Sequence, residues 1–158
     1  MAEDISGFPR IVDEEADSVE RFVYFLERER VLLTEGRTDA LALVVDEKER
    51  LAPRLNELTR QRDRYLTEHG FASGDQGMEA WATGHPEREE VLTVWRRTLS
   101  LVERAKELNR LNGILIQMNM QYVNQALEIL SRKESPLSLY GSDGRSAASE
   151  GQQINDVV

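Results

Sequence analysis

The sequence predicts an all-α fold, an antiparallel up-down helical bundle of three long helices plus one short helix, followed by a disordered C-terminal tail. Three observations lead there. Apolar residues recur three, four and seven apart along most of the chain. No run alternates in the manner of a strand. The breaks between helical patterns are short or marked by Gly, so consecutive helices should pack antiparallel. At 158 residues the length suits about one domain, expected to divide into a flexible lead-in (1–10), the bundle (11–134) and the tail (135–158).

Gly7 and Pro9 mark residues 1–10 as loose. From Ile11 or Val12 the spacing of Ala16, Val19, Val23, Leu26 and Leu33 gives one apolar stripe, widened by Phe22 and Phe25. Asp13, Glu14 and Glu15 would then form an acidic first turn, suited to the positive end of the helix dipole. Gly36 is the expected stop.

Thr38 or Asp39 can cap a second helix reaching about His69. Leu41, Val44, Leu51, Leu55, Leu58 and Tyr65 hold a heptad-like spacing that Lys48 and Arg62 complete. Pro53 lies inside, where a kink is expected. Residues 70–86 are Gly-rich and read as punctuation rather than core. Asp75 to Ala82 can form a short helix there, packed down by Met78 and Trp81.

Pro86 opens the longest pattern, to about Lys133 or Glu134. Val94, Leu101, Leu108, Leu115, Tyr122 and Ile129 repeat every seven residues, with Thr98, Ala105, Asn112, Asn119 and Ala126 between them. This is a bundle seam with two buried-type asparagines, which fix register. After Ser135-Pro136 the chain becomes small, polar and Gly/Ser-rich, unable to bury enough surface to fold alone. The cluster Leu137-Ser138-Leu139-Tyr140 is the exception, and an aromatic beside Gly141 in such a tail suits a docking peptide.

Composition bounds the chemistry. Twenty basic against 29 acidic residues give a net charge of −9, which disfavours nucleic acid and anionic membranes. With no cysteine, disulfides, thiolate metal sites and cysteine nucleophiles are excluded. His69 and His85 lack the Glu-x-x-His spacing of helical carboxylate metal sites. Neither phosphate-loop nor nucleophile-elbow motifs occur. Carboxylates such as Glu103 and Glu107 read as solvated neighbours of Arg104 and other bases. No enzyme activity, catalytic residue, metal or cofactor is expected. The acidic N-terminus MAEDISGFPR lacks an apolar run, so no signal peptide is expected, and a cytoplasmic location is.

Leu111 to Leu127 stands apart. In a chain that is 31% charged, these residues include no Asp, Glu, Lys or Arg. A helix apolar over so much of its circumference must be covered by something, either the rest of the chain or a partner. Helices two and three would be about 45 Å and 73 Å long at about 1.5 Å per residue. If the third starts where the second ends, its last third, roughly Gln117 to Glu134, extends past the hairpin. Met118 and Met120 would make that surface adaptable.

The same stretch carries a resemblance. Leu108-Asn109, Asn112-Gly113, Asn124-Gln125-Ala126-Leu127 and Leu130, followed by Leu139-Tyr140-Gly141-Ser142-Asp143-Gly144, resemble the C-terminal half of the FlgN family of flagellar export chaperones. A weaker echo lies at Glu47-Lys48 with Leu51. The resemblance implies a protein that binds the hook–filament junction proteins, FlgK-like and FlgL-like, in the cytosol. It would keep them unassembled and deliver them to the cytoplasmic domain of the type III export gate. It further implies a substrate surface on the C-terminal amphipathic helix, at Ile114, Leu115, Met118, Tyr122, Val123, Ala126, Leu127 and Leu130. Gate docking would fall to Leu139, Tyr140 and Gly141. Met118, Met120 and Tyr122 depart from the family pattern by making the segment more apolar. The alternative is a coiled-coil assembly or adaptor protein, a homodimer paired through this helix.

Overall fold

The computed structural model describes residues 7–134. Four α-helices follow one another: α1 (Gly7–Glu35), α2 (Thr38–Glu68), α3 (Gly74–Ala82) and α4 (Glu89–Glu134), with a 3₁₀ turn at Pro86–Arg88 before α4. No strand occurs among the described residues. The chain divides between Asn112 and Gly113 into two units.

In the first unit the stripe expected on α1 is the stripe that is buried: Ala16, Val19, Val23, Leu26 and Leu33. The direction of packing follows from the ion pairs. Glu14, Glu15 and Glu29 of α1 meet Arg54, Arg62 and Lys48 of α2, so partner numbers fall overall as α1 rises and the two helices are antiparallel. Glu20 and Glu27 meet Arg97 and Arg104, so the N-terminal half of α4 runs parallel to α1. Up, down, up is the expected order. One core cluster joins Phe8, Val12, Leu66, Met78, Trp81, Leu92 and Trp95. The other joins Val19, Val23, Leu26 and Leu108.

The lead-in expected over 1–10 is shorter, because α1 already begins at Gly7. Phe8 is buried, stacked on Tyr65 at 4.0 Å and edge-on to Trp81 at 4.9 Å. Pro9 is tolerated because the first turn has no intrahelical acceptor for its missing N–H. Asp13, Glu14 and Glu15 consequently lie beyond the first turn. Glu15 is buried and receives an Arg62 Nη1 hydrogen bond at 2.6 Å and one from Thr59 Oγ1 at 2.9 Å.

α1 ends as expected. Gly36 has φ +70°, and Arg37 N–H donates to Leu32 O while Gly36 N–H donates to Leu33 O. That is the Schellman pattern, and the left-handed φ at its C′ position suits glycine. The start of α2 differs from expectation: Arg37 holds the cap position without a side-chain bond, and Thr38 is already helical. Pro53 lies within a continuous α2.

The connector corrects a larger expectation. Residues 70–86 are not mere punctuation, because α3 contributes Gly77, Met78, Trp81 and Ala82 to the interior. A Cβ on Gly77 would fall 1.7 Å from the Ala72 carbonyl oxygen, so this crossing requires glycine. Gly77→Ala is expected to cost about 1–3 kcal/mol through forced backbone displacement. Urea unfolding checks this, and an unchanged midpoint would refute the close approach. Trp95 Nε1 donates to Asp75 Oδ1 at 2.7 Å, tying α3 to α4.

Candidate functional site

The second unit begins at Gly113, and from there α4 has no buried residue as far as Ser131. The last buried position, Asn112, donates through Nδ2 to Leu26 O (2.9 Å) and to Glu29 Oε1 (2.8 Å). Lys48 Nζ donates to that same Oε1 at 2.9 Å. Asn112 is therefore the register-fixing asparagine that the seam predicted. Asn119 is not, since it is exposed.

The expected seven-residue seam divides at this point. Leu108 is fully buried, Leu115 is half-buried, and Tyr122 and Ile129 are 75% and 55% exposed. The repeat persists in the helix while its cover does not, because periodicity fixes which residues share a face and says nothing of what lies opposite.

Each residue expected to form the substrate surface can now be placed. Ile114, Met118, Tyr122, Val123, Ala126, Leu127 and Leu130 are exposed, and Leu115 is half-buried. Leu127 is 53% exposed and Met118 57%. All lie on one helix, so the structure does bring them together. Ile116, Met120 and Ile129 are exposed as well and extend the surface; the first two fall in the charge-free run from Leu111 to Leu127 and Ile129 in the seven-residue repeat. Leu139, Tyr140 and Gly141, expected to dock on the gate, lie outside the described residues.

The margin before this surface is ordinary charged helix. Arg110 donates to Glu107 at 2.8 Å and 2.9 Å. Those hydrogen bonds hold the Glu107 carboxyl below the usual carboxylate range. Glu57 is shifted the same way by bonds from Arg60 and Gln61. His69 donates through Nδ1 to Tyr65 O (2.7 Å) and stacks on that ring, and exposed His85 sits beside Glu87 at 3.1 Å. Among the described residues no group of three or more acidic or histidine side chains is placed to hold a metal. Nor is any described helix long and apolar enough to cross a membrane.

The chain is similar to known proteins. The family model described as FlgN protein matches residues 1–148. Flagella synthesis protein FlgN of Proteus mirabilis is 29% identical over 103 residues, 61% of this chain and 68% of that protein. Its namesake in Yersinia enterocolitica is 28% identical over 135 residues, 84% of each. A solved Pseudomonas aeruginosa structure, described as a flagella synthesis protein FlgN, has a TM-score of 0.66 at 20% identity. It covers 73% of this chain and 90% of that one, a likeness of fold. With a family match running through nearly its whole length and two relatives of one description, this chain belongs to the FlgN family of flagella synthesis proteins.

Proposed function

We propose that this protein is a cytosolic export chaperone for the hook–filament junction proteins, FlgK-like and FlgL-like. It takes up their assembly-prone helices on α4 and hands them to the cytoplasmic domain of the flagellar export gate. One observation carries the reading: a helical segment of about five turns, Ile114 to Leu130, with Glu128 its single charge, is left largely uncovered within an acidic chain. Proteins that polymerise through amphipathic helices need their apolar faces covered before assembly, and an apolar helix face supplies that cover. The negative charge of the remainder would keep the complex dispersed. Delivery is assigned to Leu139, Tyr140 and Gly141, on the resemblance of that motif.

Leu127→Asp is expected to abolish capture of a purified junction protein while helicity by circular dichroism stays unchanged, because the side chain is exposed. Tyr140→Ala should retain capture and weaken binding to the gate domain. If both variants bound both partners as the wild type does, the residue assignments would fall. The rival reading, a self-associating coiled-coil protein, rests on the same uncovered helix. A concentration-independent dimer in light scattering that excludes the junction protein would replace the chaperone reading with that one.

A further inference from the structure

The exposed part of α4 is apolar over more of its circumference than one partner helix can use. At about 100° per residue, the apolar side chains between Ile114 and Leu130 cover an arc of about 240°. A helix packed against one neighbour needs a stripe only a little over about 100° wide. The remaining arc holds Gln117, Gln121, Asn124 and Glu128; within the apolar arc the polar positions are Gln125 near one edge and Asn119 between its two halves.

Within the wide arc the residues sort into two seams. Leu115, Met118, Tyr122, Ala126 and Ile129 form one, and Ile116, Met120, Val123, Leu127 and Leu130 form the other. The second alternates four- and three-residue steps as coiled-coil seams do; the first steps three, four, four, three, with Met118 beside the heptad position that Asn119 holds between the two seams. Their centres lie about 120° apart around the helix. Both are open: Tyr122 and Ile129 are exposed in the first, Ile116, Met120, Val123, Leu127 and Leu130 in the second.

The seams differ in continuity. The first continues the register of Leu101 and Leu108, and Leu108 packs with Val19, Val23 and Leu26 of α1. Bundle periodicity alone accounts for it. The second is broken upstream: its register holds Leu92, Trp95, Leu99 and Val102 in the cores of the first unit, then Lys106, Asn109 and Gly113. One and two heptads back from Ile116 and Leu127 the same register holds Asn109, Val102, Met120 and Gly113, with Lys106 one heptad before Gly113. Asn109, Lys106 and Gly113 are exposed, so the apolar line breaks there and resumes at Ile116. Positions flanking coiled-coil seams ordinarily carry Glu and Lys, which select an oppositely charged partner. From Leu111 to Leu127 there are none, so the occupant must satisfy both seams through apolar stripes.

We infer that the segment takes up a pair of amphipathic helices, one on each seam, rather than a single helix. This rests on the chaperone reading and specifies its substrate class: a protein that presents two apolar-striped helices together. A lone helix would leave five apolar side chains in water on the other seam.

Photo-crosslinking tests the pairing. A benzophenone amino acid replaces Tyr122 in one full-length variant and Leu127 in another. Each is irradiated with a purified hook–filament junction protein, and the crosslinked peptides are mapped by mass spectrometry. The Tyr122 position should label one helical segment of the junction protein and the Leu127 position a different one. In parallel titrations, Tyr122→Asp and Leu127→Asp should each weaken binding about tenfold or more, as loss of one buried apolar contact requires. Labelling of the same segment from both positions would overturn the pair while leaving the chaperone reading intact. Labelling of a second copy of this chain would overturn it in favour of self-association. Failure of the wild type to bind the junction protein at all would remove both readings.

Discussion

Arg62→Leu is expected to lower the unfolding free energy by about 3–5 kcal/mol, the cost of leaving one member of a buried ion pair without its partner. Arg62 of α2 lies within the bundle, where its guanidinium meets the Glu15 carboxylate of α1 and stacks over the Trp95 ring of α4 at 4.3 Å. Its Nη2 also donates to Asp63 at 3.1 Å. Both side chains of the pair are more than nine-tenths buried. Removing the cation leaves Glu15 with only the Thr59 hydroxyl as a donor among its described hydrogen bonds. The double variant Glu15→Leu/Arg62→Leu should recover most of the loss, because an apolar pair carries no desolvation penalty. Urea unfolding followed by circular dichroism checks both. A single-variant loss under about 1 kcal/mol, the range of exposed pairs, would refute the buried role.

Trp81→Ala should destabilise by about 3–5 kcal/mol, as large-to-small changes of buried aromatics do. Trp81 is 1% exposed, lies edge-on to Phe8 and carries the Arg88 guanidinium over its face at 4.5 Å. Arg88 Nη1 also donates to the Trp81 carbonyl at 2.7 Å. One side chain therefore holds α3 against the start of α1 and against the turn that launches α4. Its loss opens a cavity that three elements would have to close together. If the variant unfolded at the wild-type urea concentration, the connector would not be a structural part of the core. Trp81→Phe, which keeps a ring in the site, should recover roughly half of the loss.

These changes lie in the first unit and Leu127→Asp in the second, so stability and partner binding should separate in experiment. Arg62→Leu lowers the unfolding midpoint, whereas Leu127→Asp leaves it where it was, since an exposed substitution away from caps and networks changes stability by about half a kcal/mol or less.

Much of the molecule was legible from residue order. The α1 stripe, the Gly36 stop, the short helix over Asp75 to Ala82 and the seven-residue seam of α4 all follow from spacing, because a helix repeats its faces whatever packs against them. Lys48 and Arg62 fell on the apolar seam of α2 by their positions alone. That they reach Glu29 and Glu15 was hidden, because those carboxylates lie some 20 to 50 residues away in sequence. Phe8 was hidden for a related reason. Gly7 and Pro9 flank it as if in a loop, and only Tyr65 and Trp81 supply the surface that makes it core.

For the candidate site the division is just as clear. The sequence by itself determined that Leu111 to Leu127 is an uncharged helix with apolar side chains around most of its circumference, since composition and periodicity are properties of the chain. Tertiary structure alone decided which of those side chains stay bare. Leu108 and Asn112 meet α1, while Tyr122, Leu127 and Leu130, in the same helix, remain open to water. Burial is set by what lies opposite a face, and a repeat within one helix holds no record of its neighbours.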